Sequence, residues 1–164
     1  MILVGLGSNL TTAQFLTSEQ ILESAINYMI KNNIDVEQRS SWYRSAPIPA
    51  SDQPWFVNGV ASLRTEMAPP DLLQVLHEVE SEYGRIRGAR NASRTLDLDL
   101  LAYHGLVVDE PGGLKLPHPR LAERAFVLQP LAELAPCWRH PVTGLTPTEM
   151  LALLPPGQMV ERLS

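Results

Sequence analysis

Arg94-Thr95-Leu96-Asp97-Leu98-Asp99-Leu100 sets two acids two residues apart in an otherwise apolar run, with an arginine ahead of them. Read as a strand, the segment alternates with period 2. Asp97 and Asp99 then share one face, and Leu96, Leu98 and Leu100 share the other. Two carboxylates with charges ~5 Å apart repel by about 3 kcal/mol at an effective dielectric near 20. Something positive has to offset them, and hard oxygen donors of this kind suit Mg²⁺. A half-exposed strand with a solvated acidic face is the bland alternative for a lone D-x-D. The flanking arginines and a later histidine favour a metal site.

Upstream of this strand the chain supplies the partners it needs. Ile2–Leu6 is a short apolar run closed by Gly7-Ser8-Asn9, as in a buried strand that ends in a turn. Thr17 and Gln20 have capping-box spacing, and Ile21, Leu22, Ala25, Ile26, Met29 and Ile30 form one helical stripe that Asn32-Asn33 ends. Residues 34 to 44, rich in Val, Trp, Tyr and Ser, read as a second strand. Three prolines make Ser45–Pro54 a loop, of a length that usually serves function. Phe56–Glu66 reads as a third strand, paired with the second. Pro69-Pro70-Asp71 opens a second helix with core face Leu72, Leu76, Val79 and Tyr83, and Gly84 is a natural C′ residue. Strand, helix, strand, strand, helix, strand is the ferredoxin-like β-α-β-β-α-β order. The expected fold is α+β, an antiparallel sheet flanked by helices with a C-terminal helical and loop extension, in one domain over residues 1–164. In that extension His104-Gly105 turns toward a short partner strand at Leu106–Val108. Leu121–Leu134 is partly helical, and Thr146-Pro147-Thr148-Glu149 caps a last helix.

Composition narrows the function. A net charge of −5 speaks against a nucleic-acid binder, which carries a basic stripe. No apolar run approaches a bilayer span, and the N-terminus lacks a basic leader, so no membrane association is expected. One cysteine, Cys137, cannot form an internal disulfide and reads as structural; the expectation is a cytoplasmic protein. There is no P-loop, and Gly5-Leu6-Gly7-Ser8 lacks the third glycine of a dinucleotide fingerprint. Without a glycine cradle, polyphosphate needs arginines and a metal. The 84–94 segment offers Arg85, Arg87, Arg90 and Arg94, whose guanidinium forks match phosphate oxygens. Arg85 and Arg94, at its two anchored ends, are the stronger candidates; Arg87 and Arg90 fit a solvated basic loop. His118, rigid between two prolines, has a ring able to donate to a phosphate. His77 and Glu80 share a helix face that fits solvent or ligand equally well. Phe56 and Phe126 fit the core or stack on a flat heterocycle, and Asn58 offers a donor and an acceptor for a ring edge.

Gly7-Ser8-Asn9-Leu10, Ser41-Trp42-Tyr43-Arg44, Asp52-Gln53-Pro54, Phe56-Val57-Asn58, the R-T-L-D-L-D run, Pro117-His118, Arg124-Ala125-Phe126-Val127-Leu128 and Pro130-Leu131 follow one another in a specific order. That order resembles the 6-hydroxymethyl-7,8-dihydropterin pyrophosphokinases over nearly the whole chain. The resemblance implies a ferredoxin-like fold and transfer of pyrophosphate from ATP to the pterin hydroxymethyl group, releasing AMP, on the route to folate. It implies that Asp97 and Asp99 hold two Mg²⁺ ions and that Arg85 and Arg94 neutralise the transferring group. His77, Glu80, Leu100, Lys115 and His118 would surround ATP. Phe56 and Phe126 would sandwich the pterin, with Asn58, Arg124 and the backbone around Ser45, Ala46 and Ile48 reading its edges. The Ser45–Pro54 and 85–93 loops would act as lids that exclude water. ATP and the pterin are the expected partners of a chain working as a monomer, with a dimer as the alternative.

Three positions depart from the family pattern. Arg90-Asn91-Ala92-Ser93 stands where many members have a tryptophan, Gly88 where a basic residue is usual, and Pro119 where an aromatic often follows the histidine. These departures point to an altered lid, and so to the alternative of a catalytically weakened pterin-binding relative. A ferredoxin-like RNA-binding module, an alternative from another class, needs exposed aromatics on central strands and a basic face. The pI near 5.3 and the aspartates, expected on a central strand, oppose it.

Overall fold

The computed structural model describes residues 1–84 and 95–163. A first strand, β1 (Ile2–Ser8), leads into helix α1 (Ser18–Lys31), and strands β2 (Asp35–Arg39), β3 (Tyr43–Ser45) and β4 (Phe56–Arg64) follow. Helix α2 (Pro69–Glu82) precedes β5 (Asp97–Tyr103). Beyond it lie a hairpin of β6 (Val108–Asp109) and β7 (Lys115–Leu116), a 3-10 turn at Leu121–Glu123, helices α3 (Ala125–Leu134) and α4 (Pro147–Leu153), and β8 (Val160–Arg162). The main sheet runs β5-β1-β4-β3-β8 with β2 also on β4, and every pairing is antiparallel. Taking β2 and β3 as one interrupted strand, this is the expected ferredoxin-like arrangement with an extension.

Two apolar layers hold it together. Leu6, Leu98 and Leu100 pack with Ile21, Leu22, Met29, Leu72 and Leu76 of α1 and α2 on one face of the sheet. Leu3, Val60 and Leu101 pack with Val127, Leu128 and Leu131 of α3 and Met150 of α4 on the other. Each fully buried Leu or Ile contributes about 1.5–3 kcal/mol relative to exposure. The helix ends follow local chemistry. Thr17 and Gln20 form the reciprocal capping box of α1, and Gly84 at φ +77° closes α2 in the left-handed region.

Several expectations change in detail. β1 continues through Ser8, so Gly7 lies within the sheet rather than in a turn. The single strand expected at 34–44 divides in two. At the break Ser40 takes over the ladder: its N–H donates to the Val60 carbonyl and its Oγ accepts the Val60 N–H. Trp42 turns into the α1/α2 core, where its indole N–H meets Glu23. β5 is an edge strand, not a central one. The strand expected at Leu106–Val108 begins only at Val108 and pairs with β7 instead of β5. Ile30 is exposed although it was assigned to the core stripe. Cys137 is exposed rather than structural. β8 has no counterpart in the sequence-based expectation.

Gly59 sits directly under the Trp42 ring: a Cβ there would lie 2.5 Å from Cζ3. Since that ring is wedged in the core and cannot give way, Gly59→Ala is expected to cost about 2 kcal/mol through overpacking. Urea unfolding monitored by Trp fluorescence should read this as a lowered midpoint at unchanged slope.

Candidate active site

A single cross-strand row organises the site. Asp97 on β5 pairs with Gly7 on β1, Gly7 with Asn58 on β4, Asn58 with Tyr43 on β3, and Tyr43 with Arg162 on β8. Paired residues share a face, so this row runs along the α3 side of the sheet. Asp99 pairs with Gly5 one step along, and Phe56 pairs with Ser45. The middle strand of this face therefore presents glycines, and Gly7 leaves open the floor between Asp97 and Asn58. A Cβ on Gly7 would lie 2.9 Å from Asn58 Oδ1. Glycine keeps that space clear.

Above the row lies a cavity of about 150 Å³ lined by Ser45, Ala46, Ile48, Phe56, Asn58, Asp97, Arg124 and Phe126, together with Gly7, Pro47, Arg120, Glu123 and Gln158. All seven residues expected around the pterin meet here, with Asp97 beside them. Asn58 is buried and its amide donates to Ser45 Oγ at 2.7 Å. Asn9 fastens the proline-rich loop over this end, donating to Gln53 Oε1 and the Pro54 carbonyl, both at 3.1 Å. Arg124 precedes α3, lies 3.6 Å from Asp99 through its guanidinium, and stacks 5.5 Å from the Phe126 ring centroid.

His118 lies in this charged neighbourhood. Its Nδ1 accepts the Arg120 N–H at 3.1 Å, which leaves Nε2 as the N–H of the neutral ring. Burial, reinforced by the positive charges of Arg124 and Arg120 and opposed by Asp97, pushes its pKa down to about 4. The ring is thus a neutral donor at physiological pH. Glu80 is buried, which removes the solvated reading. Its Oε2 accepts the N–H of Leu98, the residue between the two aspartates, and so satisfies the outer edge of β5.

Other candidates stay apart from the cavity. Leu100 is buried in the α1/α2 core on the opposite face. His77 is half-buried on α2, and Lys115 on β7 pairs with Asp109 at 3.4 Å. Arg85 and Arg94 lie outside the described residues, as do Arg87, Arg90 and the Gly88 and Asn91 departures. Of the lining residues missed in the sequence, Gly7 was masked by its turn-like Gly7-Ser8-Asn9 context. Gln158 carries no local signal, because its partners lie more than thirty residues away.

The donor set fits a hard divalent cation. Among the described residues no three His, Cys, Asp or Glu side chains gather. Asp97 and Asp99 supply two carboxylates on one strand face, and a Mg²⁺-like ion takes one or two such groups, completing its shell with phosphate oxygens and water. Among the described residues no cysteine joins the pair, and two carboxylates suit a hard oxygen-seeking cation better than zinc. No helix among the described residues is long and apolar enough to cross a membrane.

A family model described as 7,8-dihydro-6-hydroxymethylpterin-pyrophosphokinase (HPPK) matches residues 3–136. The 2-amino-4-hydroxy-6-hydroxymethyldihydropteridine pyrophosphokinase of Pseudomonas aeruginosa is 44% identical over 160 residues, which is 98% of this chain and 94% of that protein. The protein of the same name from Methylorubrum extorquens is 40% identical, covering 94% of this chain and 93% of its own length. Its Synechocystis counterpart is also 40% identical, over 90% of this chain and 73% of its own. On the family match and these relatives, the chain belongs to the HPPK family.

Proposed function

We propose that this chain catalyses the reaction for which its relatives are named, transferring pyrophosphate from ATP to the hydroxymethyl group of 6-hydroxymethyl-7,8-dihydropterin with release of AMP. One observation carries the reading: the cavity gathers two phenylalanines, a buried amide and an arginine next to a paired-carboxylate strand. The first three suit a flat, polar-edged heterocycle, and the last suits a metal polyphosphate.

In this proposal Phe56 and Phe126 bind the pterin faces, while Asn58, Ser45 and the Ala46–Ile48 backbone bind its edges. Asp97 and Asp99 hold two Mg²⁺ ions, which when bound neutralise phosphate charge. Arg124 leaves its contact with Asp99 to read the pterin edge. His118 donates its Nε2 proton to a phosphate oxygen as a hydrogen bond without transferring it. Arg85 and Arg94 complete the positive surround of the phosphates and His77 and Lys115 flank the nucleotide side, while Glu80 supports β5 through the Leu98 N–H and Leu100 packs in the core beneath it. The substrate hydroxyl attacks the β-phosphorus in line and gives up its proton to solvent, the bond from that phosphorus to the α-phosphate oxygen breaks, and AMP departs with that oxygen. Chemistry of this type depends on positioning and electrostatics rather than on a covalent intermediate.

Purified protein should release AMP from ATP only when both the pterin and Mg²⁺ are present. Asp97→Ala and Asp99→Ala should each lower that rate by at least about a hundredfold, as expected for removal of a charge-stabilising group worth about 3 kcal/mol. Circular dichroism of both variants should match the parent. Near-normal AMP release from both would overturn the metal assignment.

The state of His118 gives a pH prediction. Unfolded, its ring binds a proton near 6.5, and folded near 4. Between those values the unfolded chain holds more protons, so falling pH destabilises the fold through that window, and above 6.5 the penalty vanishes. ¹⁵N NMR of the metal-free protein at pH 6 should find His118 neutral with Nδ1 unprotonated. A midpoint at 6.5 or higher would contradict the buried-donor assignment.

A further inference from the structure

The tail after α4 touches both walls of the cavity. On one wall Gln158 spans the turn into α3: its Oε1 accepts the Ala125 N–H at 2.8 Å and its Nε2 donates to the Glu123 carbonyl at 2.8 Å. α3 has no side-chain cap of its own at Arg124. The first turn of a helix leaves N–H groups without intrahelical acceptors, and here an amide 33 residues further along the chain serves one of them. Held between the two bonds is Arg124, the residue whose guanidinium meets Asp99 and Phe126.

The opposite wall is tied by the next residues of the same tail. The Met159 carbonyl accepts the Ala46 N–H at 3.2 Å, and Val160 pairs with Ser45 in the β3–β8 ladder. Glu161 adds an ion pair to Arg44 at 2.8 Å, and Arg44 stacks 4.8 Å from the Trp55 ring centroid. Three consecutive residues, Gln158 to Val160, thus join the Arg124–Phe126 wall to the Ser45–Ala46 wall. This tail lies beyond residue 136, where the family match ends.

We propose that Gln158 is a positioning residue for the pterin pocket: by bracketing Arg124 from both sides it fixes the spacing between Phe126 and the Ser45 wall, and so governs affinity for the heterocycle rather than for the nucleotide. The proposal rests on the reaction proposed above. Gln158 acts through main-chain atoms of Glu123 and Ala125, with no bond to the transferred group. Loss of both bonds frees the turn and loosens Arg124 against Asp99, while the β5 backbone stays held by β1 and by Glu80.

The test compares Gln158→Leu, which keeps the volume but loses both bonds, with Thr17→Ala. The latter removes the α1 cap away from the cavity and supplies a general loss of stability as control. Steady-state AMP release should give a pterin KM about tenfold higher in Gln158→Leu, as expected for two lost hydrogen bonds. Its ATP KM should stay within about twofold, and Thr17→Ala should leave both KM values unchanged. Isothermal titration with the pterin alone should reproduce the tenfold weakening. An unchanged pterin KM and binding constant, an equal rise in both KM values, or the same pterin defect in Thr17→Ala would overturn the proposal. A parent protein that releases no AMP would overturn the reaction instead, and the titration would still judge Gln158. No pterin binding by the parent, either alone or beside Mg²⁺ and a non-hydrolysable ATP analogue, would overturn both.

Discussion

Mutual repulsion between Asp97 and Asp99 is the constraint around which the rest of the site is arranged. The β5 strand aims both carboxylates at one face, and period-2 geometry does not let them separate without breaking the strand. The backbone is fixed from both sides, by β1 along its inner edge and by the Glu80 carboxylate on the Leu98 N–H along its outer edge. Positive charge then has to come from elsewhere in the chain, and Arg124 brings it from before α3 to within 3.6 Å of Asp99. Two carboxylates on one strand face are unfavourable for the protein alone, and the proposed cations would offset that cost.

The same face explains where the cavity forms. Side chains stand on every second residue of each strand, so a shallow hollow forms only where a strand contributes none. β1 supplies that gap at Gly7, between Asp97 on one side and Asn58 on the other, whereas the Leu101 side chain fills the space above Gly5. On the opposite face Val4 and Leu6 still pack the α1/α2 core, so the opening does not weaken the sheet. The extension then builds the remaining walls. α3 covers the adjoining part of the face with Val127, Leu128 and Leu131, and its start delivers Arg124 and Phe126 to the cavity.

Much of this was legible because the signals were local. The Thr17–Gln20 capping box, the prolines opening α2 and Gly84 closing it each depend on neighbours within four residues. The alternation around Asp97 likewise predicts a strand with an acidic face, and the ordered motifs brought the seven pterin candidates together as a group. Illegible features were those whose partners are distant. Residues 34–44 look continuous as a strand, yet divide because Ser40 replaces a ladder contact and Trp42 enters the core over Gly59. Glu80 has the spacing of a solvated residue, and only the packing of α2 against β5 reveals its burial. Leu100 sits next to the acidic face in sequence, but strand alternation turns its side chain away from the cavity.

The sequence by itself determined the central strand, helix, strand, strand, helix, strand order, the acidic face of β5 and the chemical kinds of group that a heterocycle and a polyphosphate would call for. These follow from periodicity, capping and residue chemistry, which act over a few residues. Tertiary structure alone decided that β5 lies at an edge, that Gly7 opens the floor beside Asn58, that Arg124 faces Asp99, and that residues 158 to 160 bind the two cavity walls together. Each of these is a contact between segments far apart in the chain. Such contacts are selected by burial of the two apolar layers and by pairing of otherwise unsatisfied backbone groups, neither of which any short window of sequence contains.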